Sequence, residues 1–197
     1  MPSWDSQSGI FGNRDIDAVA PVREYAMADL LIRIKKKSDG SAALTCARAD
    51  GTVTWQRQDG QLGAFFPLHD LTHYAVERVL DLPRAFYGLL TEGWDLSDFG
   101  KPWPKGALPE DALVAELIVG FFDVERATGF LATADEFNEK LQAWYADNKR
   151  TMPEFRMSDT QLEQIREERA KAFALWKAVP PGDMLEIPFE RGLRSTV

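Results

Sequence analysis

The stretch ADLLIRIKKKSDGSAALTCARADGTVTWQRQ, residues 28–58, contains three runs of extended character separated by Asp-Gly pairs at 39–40 and 50–51. An Asp-Gly pair between alternating runs is the strongest short signal of a β-hairpin, because the glycine adopts the backbone conformation that tight turns require. Two such pairs in succession predict a three-stranded antiparallel meander over residues 28–58.

Helical signals follow the meander, from Pro67 to residue 179. Pro67 suits the first turn of a helix, and Thr133 and Ser158 each begin a capping-box pattern. Pro109 and Gly129 are typical of the start and the end of a further helix. We expect about five helices over residues 67–179.

Beyond the helices, MLEIPF at 184–189 predicts a strand that returns to pair with the meander. Residues 1–25 are polar, rich in Gly and Asp, and without a clear period, so we expect an irregular segment there. No linker divides residues 1–197. The sequence therefore predicts one α+β domain.

The composition restricts the possible partners. Six Trp and 12 Phe supply a core, and the formal net charge of −8 argues against nucleic acid, because phosphate binding needs clustered basic residues. The short basic run at 33–37 is interpreted as the solvated end of a strand. Cys46, the single cysteine, cannot form an internal disulfide and is predicted to be a small buried hydrophobe.

Two further segments bear on location. The first 17 residues lack the basic start and apolar run of a secretory signal. The longest apolar stretch, ALVAELIVGFF at 112–122, is too short to cross a bilayer and contains a glutamate. We therefore expect a cytoplasmic protein that does not insert into a membrane.

The chain has two histidines, His69 and His73, within FFPLHDLTHYAVERVL at 65–80. A spacing of four residues places both imidazoles on one face of a helix, one turn apart, where they can bind the same ion. In the 112–122 stretch, Glu116 is an ionisable group in an apolar helix, which is costly unless the carboxylate is paired or bound to a metal. Asp123 shares its face two turns further on, as a reserve ligand. These residues predict one site for zinc or another divalent transition metal.

An alternative without metal is also consistent with these residues. Glu116 could form an ion pair with Arg84 or Arg126, and the two histidines could be core side chains hydrogen-bonded to the backbone. In that case the His/Glu cluster has a purely structural role.

The segment His69-Asp70-Leu71-Thr72-His73 resembles the HExxH helix of zinc metallopeptidases, with aspartate in place of glutamate. The resemblance covers these five residues. It implies that both histidines bind zinc and that Glu116 is the third ligand. Asp70 either activates the metal-bound water or, because aspartate is one methylene shorter than glutamate, orients a ligand. The same HDxxH pattern occurs in the zinc-containing protein family of ubiquinone biosynthesis, but the position of that family's next acidic ligand is Ala85 here, so that match fails.

Glu77 continues the stripe of His69 and His73 by one more turn. Three ligands at i, i+4 and i+8 span about 12 Å along a straight helix, too far for one ion. Glu77 is therefore predicted to handle protons or support a ligand, or to pair with Arg78 or Arg84 at the surface.

The loop between the two candidate site helices contains Trp94, Phe99 and Trp103 among Gly and Pro. Two interpretations are open: a pocket wall for an apolar part of a substrate, or an aromatic plug that seals the core.

Two classes of function follow from these residues. The first is a metal-dependent hydrolase acting on a small molecule or peptide, in which His69, His73 and Glu116 hold the ion and Asp70 or Glu77 handles protons. The second is a non-catalytic binding or assembly module with a structural His/Glu cluster. The sequence leaves the substrate, the metal and the oligomeric state open.

Overall fold

The computed structural model describes residues 28–100 and 103–191, so the predicted irregular segment at 1–25 lies outside the described residues. The described residues form an α+β fold with four strands and five α-helices. In chain order the elements are β1 (Leu30–Lys36), β2 (Ala42–Arg48), β3 (Val53–Gln58), α1 (Gln61–Leu80), α2 (Phe86–Thr91), a 3₁₀ helix (Leu96–Phe99), α3 (Glu110–Thr128), α4 (Ala134–Asp147), α5 (Asp159–Ala178) and β4 (Met184–Phe189).

The four strands form one antiparallel sheet in the order β3-β2-β1-β4. The predicted meander is confirmed, with Leu30 opposite Arg48 and Ala42 opposite Gln58. The predicted return of strand 184–189 is also confirmed, because β4 pairs with β1 from Leu30↔Phe189 onward. The C-terminal strand thus covers an edge of the meander that would otherwise be unpaired.

Both Asp-Gly turns form as the sequence predicts. Gly40 and Gly51 have φ values of 83° and 84°, a left-handed conformation that glycine adopts without steric cost. In each turn the aspartate accepts a hydrogen bond from the backbone N–H two residues on, Ser41 to Asp39 and Thr52 to Asp50, at 2.9 Å in both cases.

The basic run at 33–37 is more involved in packing than the sequence analysis expected. Arg33 is 8% exposed and pairs with Glu186 of β4 at 2.6 Å. The Lys36 ammonium donates to the carbonyls of Trp176 and Val179, at 2.8 and 2.7 Å. Two of the basic side chains therefore fix β4 and the end of α5 to the central strand.

Helix α1 is central to the packing, between two groups of buried side chains. On one side, Leu71 and Tyr74 pack with the inner face of the sheet, α2 and the end of α5. On the other side, Ala75 and Val76 pack with α3, α4 and the first half of α5. The middle of α1, residues 69–77, is thus buried throughout.

Helix boundaries agree with the capping signals in most places. Pro109 and Gly129 flank α3, and Gly129 has the left-handed conformation common at helix ends. Thr133 forms a reciprocal capping box with Glu136, and Ser158 forms one with Gln161.

The start of α1 differs from the prediction, because the helix begins at Gln61 and contains Pro67 in its interior. Pro67 cannot donate a hydrogen bond to the carbonyl of Gly63, so its usual place is the first turn. The extension packs closely on the sheet: a Cβ added to Gly63 would lie 2.5 Å from the carbonyl oxygen of Gly40 and 2.9 Å from that of Gln58. Tertiary packing against the β1–β2 turn therefore stabilises the turns that precede the proline.

A pair of glycine substitutions tests this contact. Gly63→Ala is expected to destabilise the protein by about 1–3 kcal/mol, because backbone atoms must move to admit the methyl group. In Gly120→Ala, within α3, the added Cβ meets no atom within 4 Å, and we expect a gain of about 0.5–1 kcal/mol from helix propensity. Urea unfolding of both variants measures the difference. Equal stabilities would show that Gly63 does not determine how α1 meets the sheet.

Two expectations concern single features of the fold. Cys46 is buried in β2, as predicted, and burial raises the pKa of its thiol well above the ordinary value.

Among the described residues, none of the helices combines the length and apolar character needed to cross a bilayer.

Candidate metal centre

His69 and His73 lie on the same side of α1, one turn apart, with ring centroids 4.9 Å apart. Both are buried, at 5% and 2% exposure. Because α1 is packed on two sides, its backbone holds the Cβ atoms of both histidines in place. The packing around α1 therefore determines the positions of the two imidazole rings.

Glu116 comes from α3, which packs alongside α1. Its Oε2 lies 3.2 Å from Nε2 of His73. The side chain of Glu116 is 25% exposed, and Gly120, one turn further on, is also only partly buried. Helix α3 is therefore partly exposed at Glu116 and Gly120, although the stretch at 112–122 is largely apolar. The carboxylate therefore lies where the interface between α1 and α3 reaches the surface.

The three predicted ligands form a group that could hold a metal ion. One ligand atom from each of His69, His73 and Glu116 lies within 4.8 Å of the other two. Ligand atoms at 2.0–2.1 Å around a tetrahedral ion are about 3.3 Å apart, close to the 3.2 Å between His73 and Glu116.

Asp123, the predicted reserve ligand, contacts the Nδ1 atom of the His69 ring. Its Oδ2 is 2.7 Å from Nδ1 of His69, and its Oδ1 accepts a hydrogen bond from Arg126 at 3.0 Å. Although burial raises the pKa of Asp123, the contacts with His69 and Arg126 outweigh it and hold the pKa below the ordinary value. Asp123 is thus an ionised partner of Nδ1, which leaves Nε2 of His69 for an ion.

Glu77 occupies the equivalent position beside His73. Its Oε1 is 3.5 Å from Nδ1 of His73, and its carboxylate accepts hydrogen bonds from the backbone N–H groups of Tyr87 and Gly88. The residue is 3% exposed, so it is a buried group and not a surface partner of an arginine. Arg78 contacts Tyr74 and Glu168, and Arg84 contacts Glu92.

The carboxylates around His73 set its charge. Burial by itself lowers the pKa of His73, but Glu116 and Glu77 raise it to about 10. In the metal-free protein the ring is therefore protonated at neutral pH and forms an ion pair with Glu116. Burial raises the pKa of Glu77, and His73 opposes that effect.

Asp70 is placed on a different side of α1. Its Oδ2 accepts a hydrogen bond from Gln58 of β3 at 2.8 Å, and the residue is 4% exposed. Burial raises its pKa to about 6, against the opposing effects of His69 and Gln58. The carboxylate that the motif resemblance implied to be a base is thus engaged with the sheet.

Aromatic rings surround the candidate ligands. Phe65 stacks on His69 with centroids 5.5 Å apart, and Phe66 meets the same ring edge-on at 5.8 Å. Phe86, the first residue of α2, lies 5.1 Å from His73. These rings restrict water around the imidazoles, which strengthens electrostatic interactions between the charged groups.

The three aromatic residues of the long loop are divided between the core and the surface. Trp94 and Phe99 are buried in the core beside the sheet, and Phe99 packs on Phe86 with centroids 4.9 Å apart. Trp103 is 39% exposed. The loop therefore contacts the candidate metal centre indirectly, because Phe99 packs on Phe86 and Phe86 packs on His73.

Sequence analysis did not find Gln58 and Phe86, which come from two separate elements and have nothing in their local sequence that marks them. It named Arg126 as a possible partner of Glu116, whereas Arg126 donates to Asp123. Phe65 and Phe66 had a usable signal, because they precede His69 by four and three residues and so share its helix face.

No protein family model, curated protein or solved structure matches this chain.

Proposed function

We propose that the protein binds one zinc ion, or another divalent transition metal ion, through His69, His73 and Glu116. The observation that carries the proposal is the convergence of two imidazoles and a carboxylate within 4.8 Å. Two neutral imidazoles and one carboxylate are a ligand set typical of catalytic zinc, which leaves a fourth position for water or substrate.

We further propose that the ion serves a metal-dependent hydrolase. The resemblance of residues 69–73 to the HExxH helix supports this class, and so does the partial exposure of Glu116, because a substrate needs a path to the ion. A bound metal would lower the pKa of its water toward neutral pH and polarise a carbonyl or phosphoryl group. Among the nearby carboxylates, Glu116 lies nearest to the surface.

Cobalt(II) substitution tests both parts of the proposal. We expect the reconstituted protein to show the visible absorption of a four-coordinate Co(II) ion, and a small hydroxamate to change that spectrum by binding at the open position. A cobalt spectrum that no added anion or hydroxamate changes would indicate a closed structural site and argue against the hydrolase.

The structural alternative also has an observation in its favour. His73 pairs with Glu116 at 3.2 Å and His69 with Asp123 at 2.7 Å, so the cluster satisfies much of its own hydrogen bonding without a metal. In that case cobalt is not bound at all, and the His73–Glu116 pair contributes only to the packing of α1 on α3.

The charge of His73 gives a pH dependence for metal binding. The pKa of His73 is about 10 in the metal-free protein, and the ion must displace the proton from Nε2. Binding at pH 7 is therefore expected to release about one proton from this ring, with affinity rising as pH increases toward 10. Calorimetric titration in two buffers of different ionisation enthalpy counts the protons. A heat of binding that is the same in both buffers would contradict this assignment.

A further inference from the structure

We propose that Glu77 is a positioning residue that accepts a hydrogen bond from Nδ1 of metal-bound His73, and that this contact determines how tightly the site binds metal. The inference rests on the proposed metal site. It concerns a residue that lies outside the group of three candidate ligands and acts on the ion through His73 alone.

The carboxylate of Glu77 is held by the backbone of the next helix. Its Oε2 accepts hydrogen bonds from the N–H groups of Tyr87 at 2.9 Å and Gly88 at 3.2 Å, and its Oε1 lies 3.2 Å from the same Tyr87 nitrogen. The backbone N–H groups of α2 have fixed directions, so they hold the carboxylate of Glu77 in one orientation. The remaining lone pairs of Oε1 therefore also have a fixed direction.

That direction is toward His73. Nδ1 of His73 is buried, has no hydrogen-bond partner among the described residues, and lies 3.5 Å from Oε1 of Glu77. A movement of about 0.5 Å brings the pair within ordinary N–H···O distance. The carboxylate can only accept, so it stabilises a ring that has its proton on Nδ1.

The position of this proton matters because each ring nitrogen has one role in a metal complex. When Nε2 gives its lone pair to an ion, the remaining proton of a neutral imidazole is on Nδ1. When an ion replaces the Nε2 proton beside Glu116, Glu77 is therefore the acceptor that the remaining Nδ1 proton faces. Asp123 has the same relation to Nδ1 of His69, at 2.7 Å.

Glu77→Gln tests the inference with little change in shape. The two backbone N–H groups keep the amide oxygen in the place of Oε2, so the amide NH₂ occupies the place of Oε1 and points a donor at Nδ1. In the metal-bound state, a protonated Nδ1 would then face another donor. In the metal-free state Nδ1 can instead accept from the amide while Nε2 donates to Glu116, so we expect the variant to fold.

Asp70→Asn is the matched control. Asp70 is another buried carboxylate on α1, but its hydrogen-bond partner is Gln58 and not an imidazole. The substitution removes one negative charge near both histidines and leaves their Nδ1 contacts in place. It thus separates the effect of charge from the effect of the Nδ1 contact.

Zinc affinity, measured by competition with a chelator, is the readout. We expect Glu77→Gln to weaken binding about 10–100-fold, as is typical when a partner of a metal-bound histidine is lost, and Asp70→Asn to change it by less than about threefold. Equal affinities of wild type and Glu77→Gln, or equal losses in both variants, would overturn the inference. If the wild-type protein binds no zinc, the proposed function itself fails, which is a separate result.

A second measurement serves if Glu77→Gln does not fold. Long-range ¹H–¹⁵N spectra of the zinc-loaded wild-type protein report which ring nitrogen carries the proton. Because the chain has two histidines, the spectrum contains the signals of two imidazole rings. We expect a protonated Nδ1 and a coordinated Nε2 in His73, and coordination through Nδ1 would overturn the inference.

Discussion

Replacing His73 with alanine is expected to abolish stoichiometric zinc binding. The substitution removes one of three ligands, and the loss of a mere partner of a ligand already costs about 10–100-fold in affinity, so we expect a loss of more than about 100-fold. His69→Ala and Glu116→Ala should behave in the same way, because each contributes one ligand atom to the same group. Zinc content after dialysis measures the effect.

Stability gives a second measure of the same prediction. Bound metal stabilises the folded state, by about 2.7 kcal/mol when the free ion is at 100 times its dissociation constant. Zinc should therefore raise the melting temperature of the wild-type protein and leave that of His73→Ala unchanged. Glu139→Ala, at an exposed position of α4, is the control and should retain full binding. Alanine variants that hold as much zinc as the wild type would place any metal elsewhere.

Deleting residues 182–197 is expected to unfold the protein or lower its melting temperature sharply. The deletion removes β4, which pairs with β1 along its length and buries Leu185, Ile187 and Phe189 at 8%, 7% and 2% exposure. Burial of three large apolar side chains contributes about 5–9 kcal/mol, comparable with the total stability of about 5–15 kcal/mol of a typical domain. Circular dichroism and thermal melting measure the result.

Two point substitutions in β4 show whether the loss comes from the buried face. Ile187→Ala should cost about 2–5 kcal/mol, because the cavity opens in the core beside β1. Met184→Ala, at a position that is 45% exposed, should change stability by less than about 0.5 kcal/mol. A truncated protein with an unchanged melting temperature would rule out a stabilising role for β4.

The fold was predictable because its signals are local. Each Asp-Gly pair determines a turn from two adjacent residues, and the caps at Thr133 and Ser158 need only the three residues that follow. The first turns of α1 were missed for the opposite reason. Gly63 and Pro67 weaken a helix locally, and the close packing of Gly63 on the β1–β2 turn becomes visible only when the sheet is folded.

The candidate site was predictable in part. The four-residue spacing of His69 and His73 and the isolated carboxylate in an apolar run identified the three groups that the structure brings together. The carboxylates of Asp123 and Glu77 were found, but their positions beside Nδ1 depend on how α3 and α2 pack against α1. Neither the exposure of Glu116 nor the bond from Gln58 to Asp70 follows from any local pattern.

The measurement that tests the central claim most directly is metal stoichiometry by elemental analysis, on protein purified without a histidine tag. The account predicts about one equivalent of a divalent transition metal per chain in the wild type, or after reconstitution with zinc, and a loss of that metal in His69→Ala, His73→Ala and Glu116→Ala. A wild-type protein that binds no zinc, manganese, iron or nickel after reconstitution would contradict it, and the two histidines would then be core residues paired with Asp123 and Glu116.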